Sequence, residues 1–275
     1  MKTLQNFVNG KKVSATSDKV QDLINPVLNL QDITVNLNAN GVANLTPAMI
    51  DNGSTDNCTV TLFTIPSSFN CNNVGQNTVL VLGSDNGNNV VFSSVVVTVV
   101  DAINPTITAP ANITTYANAS CTATGLALGT PVTADNCSVT SVTNNAPSPF
   151  PLGVTTVTWT VTDASGNTAT ATQTVTVTDN EIPVIASNGD QTVNTDSGIC
   201  GANVTVSATA TDNCTVGTPT GVRSDAKLLT DVYPVGNTTI TWNVSDANGN
   251  AAIAVTQTVT VTDNEIPVIT SNGNK

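Results

Sequence analysis

The chain has 275 residues, with 7 Lys and Arg against 19 Asp and Glu, no His, and 3% aromatic residues, for a formal net charge of −12. Such a surface repels nucleic acid and anionic lipid and attracts divalent cations, although solubility alone would also account for it. Without His there is no conventional catalytic triad and little prospect of zinc, and no 18-residue apolar run offers a membrane helix. Thr and Val suit half-buried pleated strands, and Asn, Asp and Gly supply turns. No stretch shows a sustained helical period with caps, so the predicted fold is all-β.

Residues 1–22 form a leader of different origin from the rest. They hold Lys2, Lys11, Lys12 and Lys19, whereas from 20 to 274 only Arg223 and Lys227 stand against 18 acidic residues. The leader lacks the apolar stretch of a signal peptide. Its run Phe7-Val8-Asn9-Gly10-Lys11-Lys12-Val13, followed by Ile24-Asn25-Pro26, resembles the extreme N-terminus of aldehyde dehydrogenases, where it forms a short hairpin. The resemblance stops at residue 26, and neither that family's nucleotide-binding glycines nor its catalytic Cys and Glu follow. No enzymatic inference is drawn. An alternative use of the leader is as an arm that pairs with a neighbouring chain.

Repeat 1 spans 23–103, with strands expected at 32–37, 59–65, 77–82 and 90–100. Repeat 2 spans 104–181 and repeat 3 spans 182–265. Residues 173–189 and 257–273 differ only at Ala186 and Thr270, 84 positions apart, which marks an internal repeat. Trp159 aligns with Trp242 and Asp163 with Asp246; Gly75, Val81 and Asp85 supply the repeat 1 counterparts. Each repeat ends in two alternating runs joined by an Asp-led turn, where Gly87, Gly166 and Gly249 are expected to take positive φ. Trp159 lies on one face with Val157 and Val161, and Trp242 with Ile240 and Val244. Both are therefore read as core rather than as a sugar-stacking platform. Residues 266–275 open a fourth, truncated repeat, and the natural protein is expected to be longer.

Six cysteines fall as one close pair per repeat: Cys58 and Cys71, Cys121 and Cys137, Cys200 and Cys214. No C-x2-C spacing appears, so disulfides in an oxidising, extracellular compartment are expected. Disulfide Cα atoms sit about 5.5 Å apart, while thirteen extended residues span roughly 43 Å. Pairing within a repeat therefore requires the chain to double back, near Pro66 in repeat 1. Either it does so or the cysteines pair otherwise; the first is the reading adopted.

Residues 106–115 (TITAPANITT), the Asp135-Asn136-Cys137 loop and PFPLGVTTVTWTVTDASGN (149–167), with their repeat 3 copies, resemble hyalin (HYR) repeats of bacterial surface proteins. Repeat 1 is similar to a related module of very large surface adhesins. The resemblance, over residues 27–275, implies tandem immunoglobulin-like β-sandwich repeats in an extended array, and a stalk or spacer role in a secreted bacterial adhesin or filament. Its expected partners are neighbouring repeats of the same chain or of like chains. A rival reading is a carbohydrate-binding accessory module. In that case Arg223 and Lys227, carried by an insertion between Cys214 and Trp242, would contact surface glycans.

The two Glu of the chain, Glu181 and Glu265, sit in Asp-Asn-Glu linkers at repeat ends. A sandwich of this topology brings the linker, the Asp-Asn-Cys loop and the hairpin turn to one pole. That gathers Asp179, Asn180, Glu181, Asp212, Asp246, Asn248 and Asn250 at the joint between repeats 2 and 3. At the joint between repeats 1 and 2 the set is Asp101, Asn104, Asp135, Asp163 and Asn167, expected to be weaker because it lacks a Glu. Calcium takes six to eight hard oxygens, and these sets offer them. The linker is also similar to the calcium linkers of cadherins. The competing explanation is that Asp and Asn serve only their own turns.

Overall fold

The computed structural model describes residues 6–8, 11–13, 26–56 and 58–269. They fall into two compact units, one of Met1–Thr108 with Val132–Thr143 and Thr160–Thr170, the other of Ala109–Pro131 with Asn144–Trp159 and Ala171–Lys275. Within the leader, Asn6–Val8 pairs antiparallel with Lys11–Val13. The rest of that segment, the expected pairing arm and residues 270–275 of the expected fourth repeat lie outside the described residues.

In the first unit, β-branched alternation builds a four-stranded sheet in the order Ile33–Asn36, Val90–Val100, Gly75–Ser84, Thr61–Ile65. Its first pair is parallel, with Ile33 opposite Val97; the others are antiparallel. A small sheet of Val42–Asn44 and Ser68–Asn70 completes the sandwich. Val79, Val81, Val95, Val97 and Val99, at period 2, meet Leu37, Leu45, Ile50 and Phe69 in the core. The four-residue helix Pro47–Ile50, with Pro at its start, buries only Ile50.

The second unit repeats this plan in residues 182–265. Gln191–Asn194 pairs in parallel with Val255–Thr262, followed by Gly236–Asn243 and Thr220–Arg223. Opposite them, Gly201–Ala202 pairs with Tyr233–Pro234, and Val184–Ser187 with Ala208–Thr211. The same strand order recurs in the repeat between. The fold is all-β, in tandem immunoglobulin-like sandwiches.

Trp159 and Trp242 are core residues, 6% and 3% exposed. Each donates its indole N–H to a fully buried glutamine, Trp159 to Gln173 at 3.1 Å and Trp242 to Gln257 at 3.0 Å. The Gln257 amide in turn donates to Asn188 and to the Gly189 carbonyl, and Gln173 donates to the carbonyls of Ala111 and Leu128. In repeat 1 the pair is replaced jointly: Val81 takes the Trp position, and Val95, opposite Val79, takes the Gln position. Both polar groups leave together, so neither is orphaned.

The turn after each long strand is capped by its leading Asp. Asp85, Asp163 and Asp246 each accept two backbone N–H groups and one Asn amide, from Asn89, Asn167 and Asn250. Gly166 and Gly249 take the positive φ expected of them, 89° and 94°. In repeat 1 the expectation fails. Asn88, not Gly87, adopts φ 63°, because the turn DNGNN places Asn at the fourth position, where the other turns have Gly.

The disulfides correct the sequence reading. Cys71 bonds Cys137, with Cα atoms 5.5 Å apart, and Cys121 bonds Cys214, at 4.8 Å; Cys58 and Cys200 are free and exposed. Both bonds join successive repeats. The reason is a change of sheet: Thr61–Ile65 belongs to the large sheet and Ser68–Asn70 to the small one. The chain crosses the sandwich instead of doubling back at Pro66, and Cys58 and Cys71 part. Between Cys200 and Cys214 the chain passes from one two-stranded pair, Gly201–Ala202 with Tyr233–Pro234, to another, Ala208–Thr211 with Val184–Ser187, and Thr122–Ala123 and Val132–Ala134 likewise belong to different pairs between Cys121 and Cys137. Closing loops of 66 and 93 residues, each bond is worth about 4–5 kcal/mol in the chain-entropy account.

Two outcomes follow from the core and the turns. Gln257→Val leaves the Trp242 N–H buried without an acceptor, and urea unfolding should show a loss of about 1–3 kcal/mol. The Asn89 side-chain amide holds the Asp85 carboxyl below its ordinary value of 3.8. Burial pushes Asp246 up, but the Asn250 side chain and the turn N–H groups outweigh it, so its pKa is also lowered. A carboxyl whose folded pKa is depressed stabilises fully above the unfolded value and loses that contribution as pH falls through the folded one. The melting temperature in chelator should therefore hold from neutral pH down to about 5 and fall below about 4, with a shallower acid slope in Asp85→Asn.

Candidate cation sites at the repeat joints

Two acidic clusters form, one wholly within each unit. Asp101, Asp135 and Asp163 bring one carboxylate oxygen each within 4.8 Å of the others; Asp179, Asp212 and Asp246 do the same. The local causes are alike. Asp101 and Asp179 end the last strand of a repeat. Asp135 and Asp212 begin the Asp-Asn-Cys loop of the next repeat, each accepting the Cys backbone N–H at 2.9 Å. Asp163 and Asp246 cap the hairpin turns. The Asn at the end of each turn braces the linker, with Asn167 donating to the Asp101 carbonyl at 3.1 Å and Asn250 to the Asp179 carbonyl at 3.2 Å.

Asp101, Asp163, Asp179 and Asp246 are buried, and Asp135 and Asp212 half-buried. Two unit charges 4.8 Å apart repel by about 3–4 kcal/mol at an effective dielectric constant near 20. No basic side chain offsets this, since the one salt bridge among the described residues is Arg223–Asp225. Several oxygens also lack any hydrogen-bond donor: Asp135 Oδ1 and Asn136 Oδ1 in the first cluster, and Asp179 Oδ2, Asp212 Oδ1 and Asn213 Oδ1 in the second. Oxygens that share one calcium at 2.3–2.6 Å lie at most about 5 Å apart, and the clusters meet that limit.

Not every expected ligand takes part. Glu181 is exposed and outside the cluster, and its backbone N–H donates to Asp179. Asn104, Asn180 and Asn248 are likewise exposed. Asn167 and Asn250 turn their amide nitrogens to the turn Asp carboxylates at 2.7 Å. The two clusters thus match carboxylate for carboxylate, and the Glu that separated them in sequence does not do so in space. Asn136 and Asn213 join these clusters although the ligand sets expected from sequence omit them. Asn136 donates to Asp101 at 3.1 Å, and Asn213 donates to the Asn118 carbonyl at 3.2 Å. Their recurrence in the Asp-Asn-Cys triplet was the available signal.

Arg223 is not offered to solvent, where the sequence reading places it. It is 2% exposed, stacks 3.8 Å over the Tyr233 ring and pairs with Asp225. Its remaining N–H groups donate to the carbonyls of Leu228, Asp231 and Val232. The guanidinium fork is consumed in folding the insertion, which leaves only exposed Lys227 facing solvent.

No helix among the described residues is long and apolar enough to cross a membrane. No curated protein matches the chain. Among solved structures, mouse cadherin-23 repeats EC22–24 superpose on 87% of this chain and 99% of their own, at 12% identity and a TM-score of 0.36. Drosophila N-cadherin EC1–4 covers 86% and 75%, at 14% identity and 0.35. A protocadherin gammaB7 EC3–6 cis-dimer structure covers 86% and 73%, at 18% identity and 0.32. In sequence, residues 100–177, which hold both the Asp101–Asp135–Asp163 cluster and Trp159, match the family model of the HYR domain.

Proposed function

We propose that the chain is a stalk or spacer segment of a secreted bacterial surface adhesin or filament, and that calcium at the repeat joints sets how firmly successive repeats are held. The HYR stretch and the disulfides support an extracellular adhesion-type repeat. One observation carries the calcium reading. Among the described residues, the buried side-chain polar atoms without a partner are six oxygens, of Asp56, Asp135, Asn136, Asp179, Asp212 and Asn213. All belong to the repeat-end linker or to Asp-Asn-Cys loops. A buried anionic oxygen without a donor is costly, and a divalent cation removes the cost at every such atom in a cluster at once.

Asp179, Asp212, Asp246 and Asn213 would hold the ion at one joint, and Asp101, Asp135, Asp163 and Asn136 at the other. An all-oxygen, mostly anionic set suits calcium and not zinc. The ion supplies positive charge where this chain has none. The chain supplies the positioning: the strand end, the loop and the turn each deliver one carboxylate.

The test is a calcium titration of the melting temperature against a chelated baseline. At calcium a hundredfold above its dissociation constant, each site should add about 2.7 kcal/mol, which raises melting by several degrees. Asp212→Asn should remove one joint's share and Asp135→Asn the other's, while Glu181→Gln should leave the shift unchanged. Absence of any shift in the unaltered chain would remove calcium from the joints.

A further inference from the structure

The solvent face of the large sheet of repeat 1 differs from its counterparts in the later repeats. Alternation turns Val79, Val81, Val95 and Val97 into the core, so Phe63, Ile65, Leu80, Leu82, Val90 and Phe92 stand on the opposite face. Phe63, Ile65 and Phe92 are 51%, 61% and 64% exposed. Leu80 and Val90 are exposed as well, and Leu82 is half-buried.

Strand register makes these side chains one surface. Phe63 lies opposite Leu82 and Leu82 opposite Phe92, a row across three strands. The rows on either side, two residues away along the strands, place Ile65 opposite Leu80 and Ser84 opposite Val90. Directly opposite residues on one face have Cβ atoms about 4.5–5.5 Å apart, which makes the patch continuous. Thr61–Ile65, Gly75–Ser84 and Val90–Val100 contain no charged residue.

The same positions in the later repeats are mostly threonine. With Val81 aligned on Trp159 and Trp242, Leu80 and Leu82 fall on Thr158 and Thr160 in repeat 2, and on Thr241 and Asn243 in repeat 3. Phe92 falls on Thr170 and Ala254, because Val95 takes the position of Gln173 and Gln257. Phe63, opposite Leu82, stands where Thr220 stands opposite Asn243; in repeat 3 only Ile65 keeps a large apolar counterpart, Val222. Threonine suits a half-exposed strand as well as leucine or phenylalanine does, and it puts less apolar surface into water. Strand formation therefore does not account for the repeat 1 residues.

We propose that this face is a contact between two copies of the chain, packed sheet on sheet about a two-fold axis. At about 150–250 Å² for a large side chain, the exposed fractions amount to on the order of 500 Å² per copy, and two copies reach the ~1,000 Å² that a specific interface needs. Each copy carries a net charge of −12, and three adjoining strands without a charged side chain are where two such chains approach with little repulsion. Pleated sheets stack about 10 Å apart with their side chains interdigitated. An axis running along the strands at Leu82 sets Phe63 of one copy against Phe92 of the other, and such a contact closes as a dimer.

The contact lies within repeat 1 and uses no joint carboxylate, so calcium at the joints can fail without touching it. An interface of about 1,000 Å² belongs with weak, transient associations, so the dimer forms and dissociates with concentration.

The experiment is sedimentation velocity of the full chain from about 5 to 500 μM, in calcium and separately in chelator. The exposed thiols Cys58 and Cys200 are alkylated first, so that only non-covalent association is read. The unaltered chain should move from monomer to dimer mass across that range in both buffers. Leu82→Thr combined with Phe92→Thr, the residues repeat 2 carries at these positions, should weaken the dimer by about tenfold or more. Phe63→Thr, on the edge strand, should weaken it independently, and the melting temperature of each variant shows that it still folds. Val154→Thr, in repeat 2 and 71% exposed, should leave the dimer unchanged. A chain that stays monomeric at the top of the range in both buffers overturns the proposal. So does a dimer that the folded Leu82 and Phe92 variant or the folded Phe63 variant forms with unchanged affinity.

Discussion

Everything at a joint depends on an Asp-Asn-Cys loop inserted beside the terminal strand of the preceding repeat. The insertion has opposing consequences. It brings three carboxylates within 4.8 Å of one another, which pushes the repeats apart. It also places a cysteine beside the preceding repeat's sulfur and an asparagine amide beside its backbone carbonyl, which hold them together. A covalent bond is indifferent to charge, so the staple keeps the acids close whether or not a cation is present.

The cores beneath are simple by comparison. Val, Ile and one Trp per later repeat fill the space between the sheets, and a buried glutamine meets the one polar atom that Trp introduces. Repeat 1 omits the Trp and the Gln together, and Val81 and Val95 fill their positions with apolar side chains. Polarity is tolerated in these sandwiches as complete pairs. At the joints it is not complete, and the oxygens left over there set the joints apart from the cores.

The insertion of repeat 3 illustrates how a surface feature in sequence becomes an interior one. Arg223 stands in a stretch of otherwise acidic chain and reads as a contact offered to solvent. In space its fork is taken up by Asp225, three carbonyls and the Tyr233 face. An arginine with five donors can organise a ten-residue loop around itself, and no pattern along the chain distinguishes that use from binding.

Strand alternation, turn residues and the 84-residue repeat made the all-β class, the tandem repeats and the buried Trp faces readable from residue order alone. Those features rest on neighbours two positions apart or on turns of four or five residues. The acidic triads were readable in part, because each Asp sits at a recurring landmark. Only the folded chain excluded Glu181 and brought in Asn136, since the direction of a side chain next to a turn is set by packing. The disulfide pattern was hidden altogether. Nearness in sequence suggests Cys58 with Cys71, Cys121 with Cys137 and Cys200 with Cys214, but the chain changes sheets between the members of each pair. Which sulfurs meet is decided by where one repeat's loop lands on the repeat before it, a distance that residue spacing does not encode.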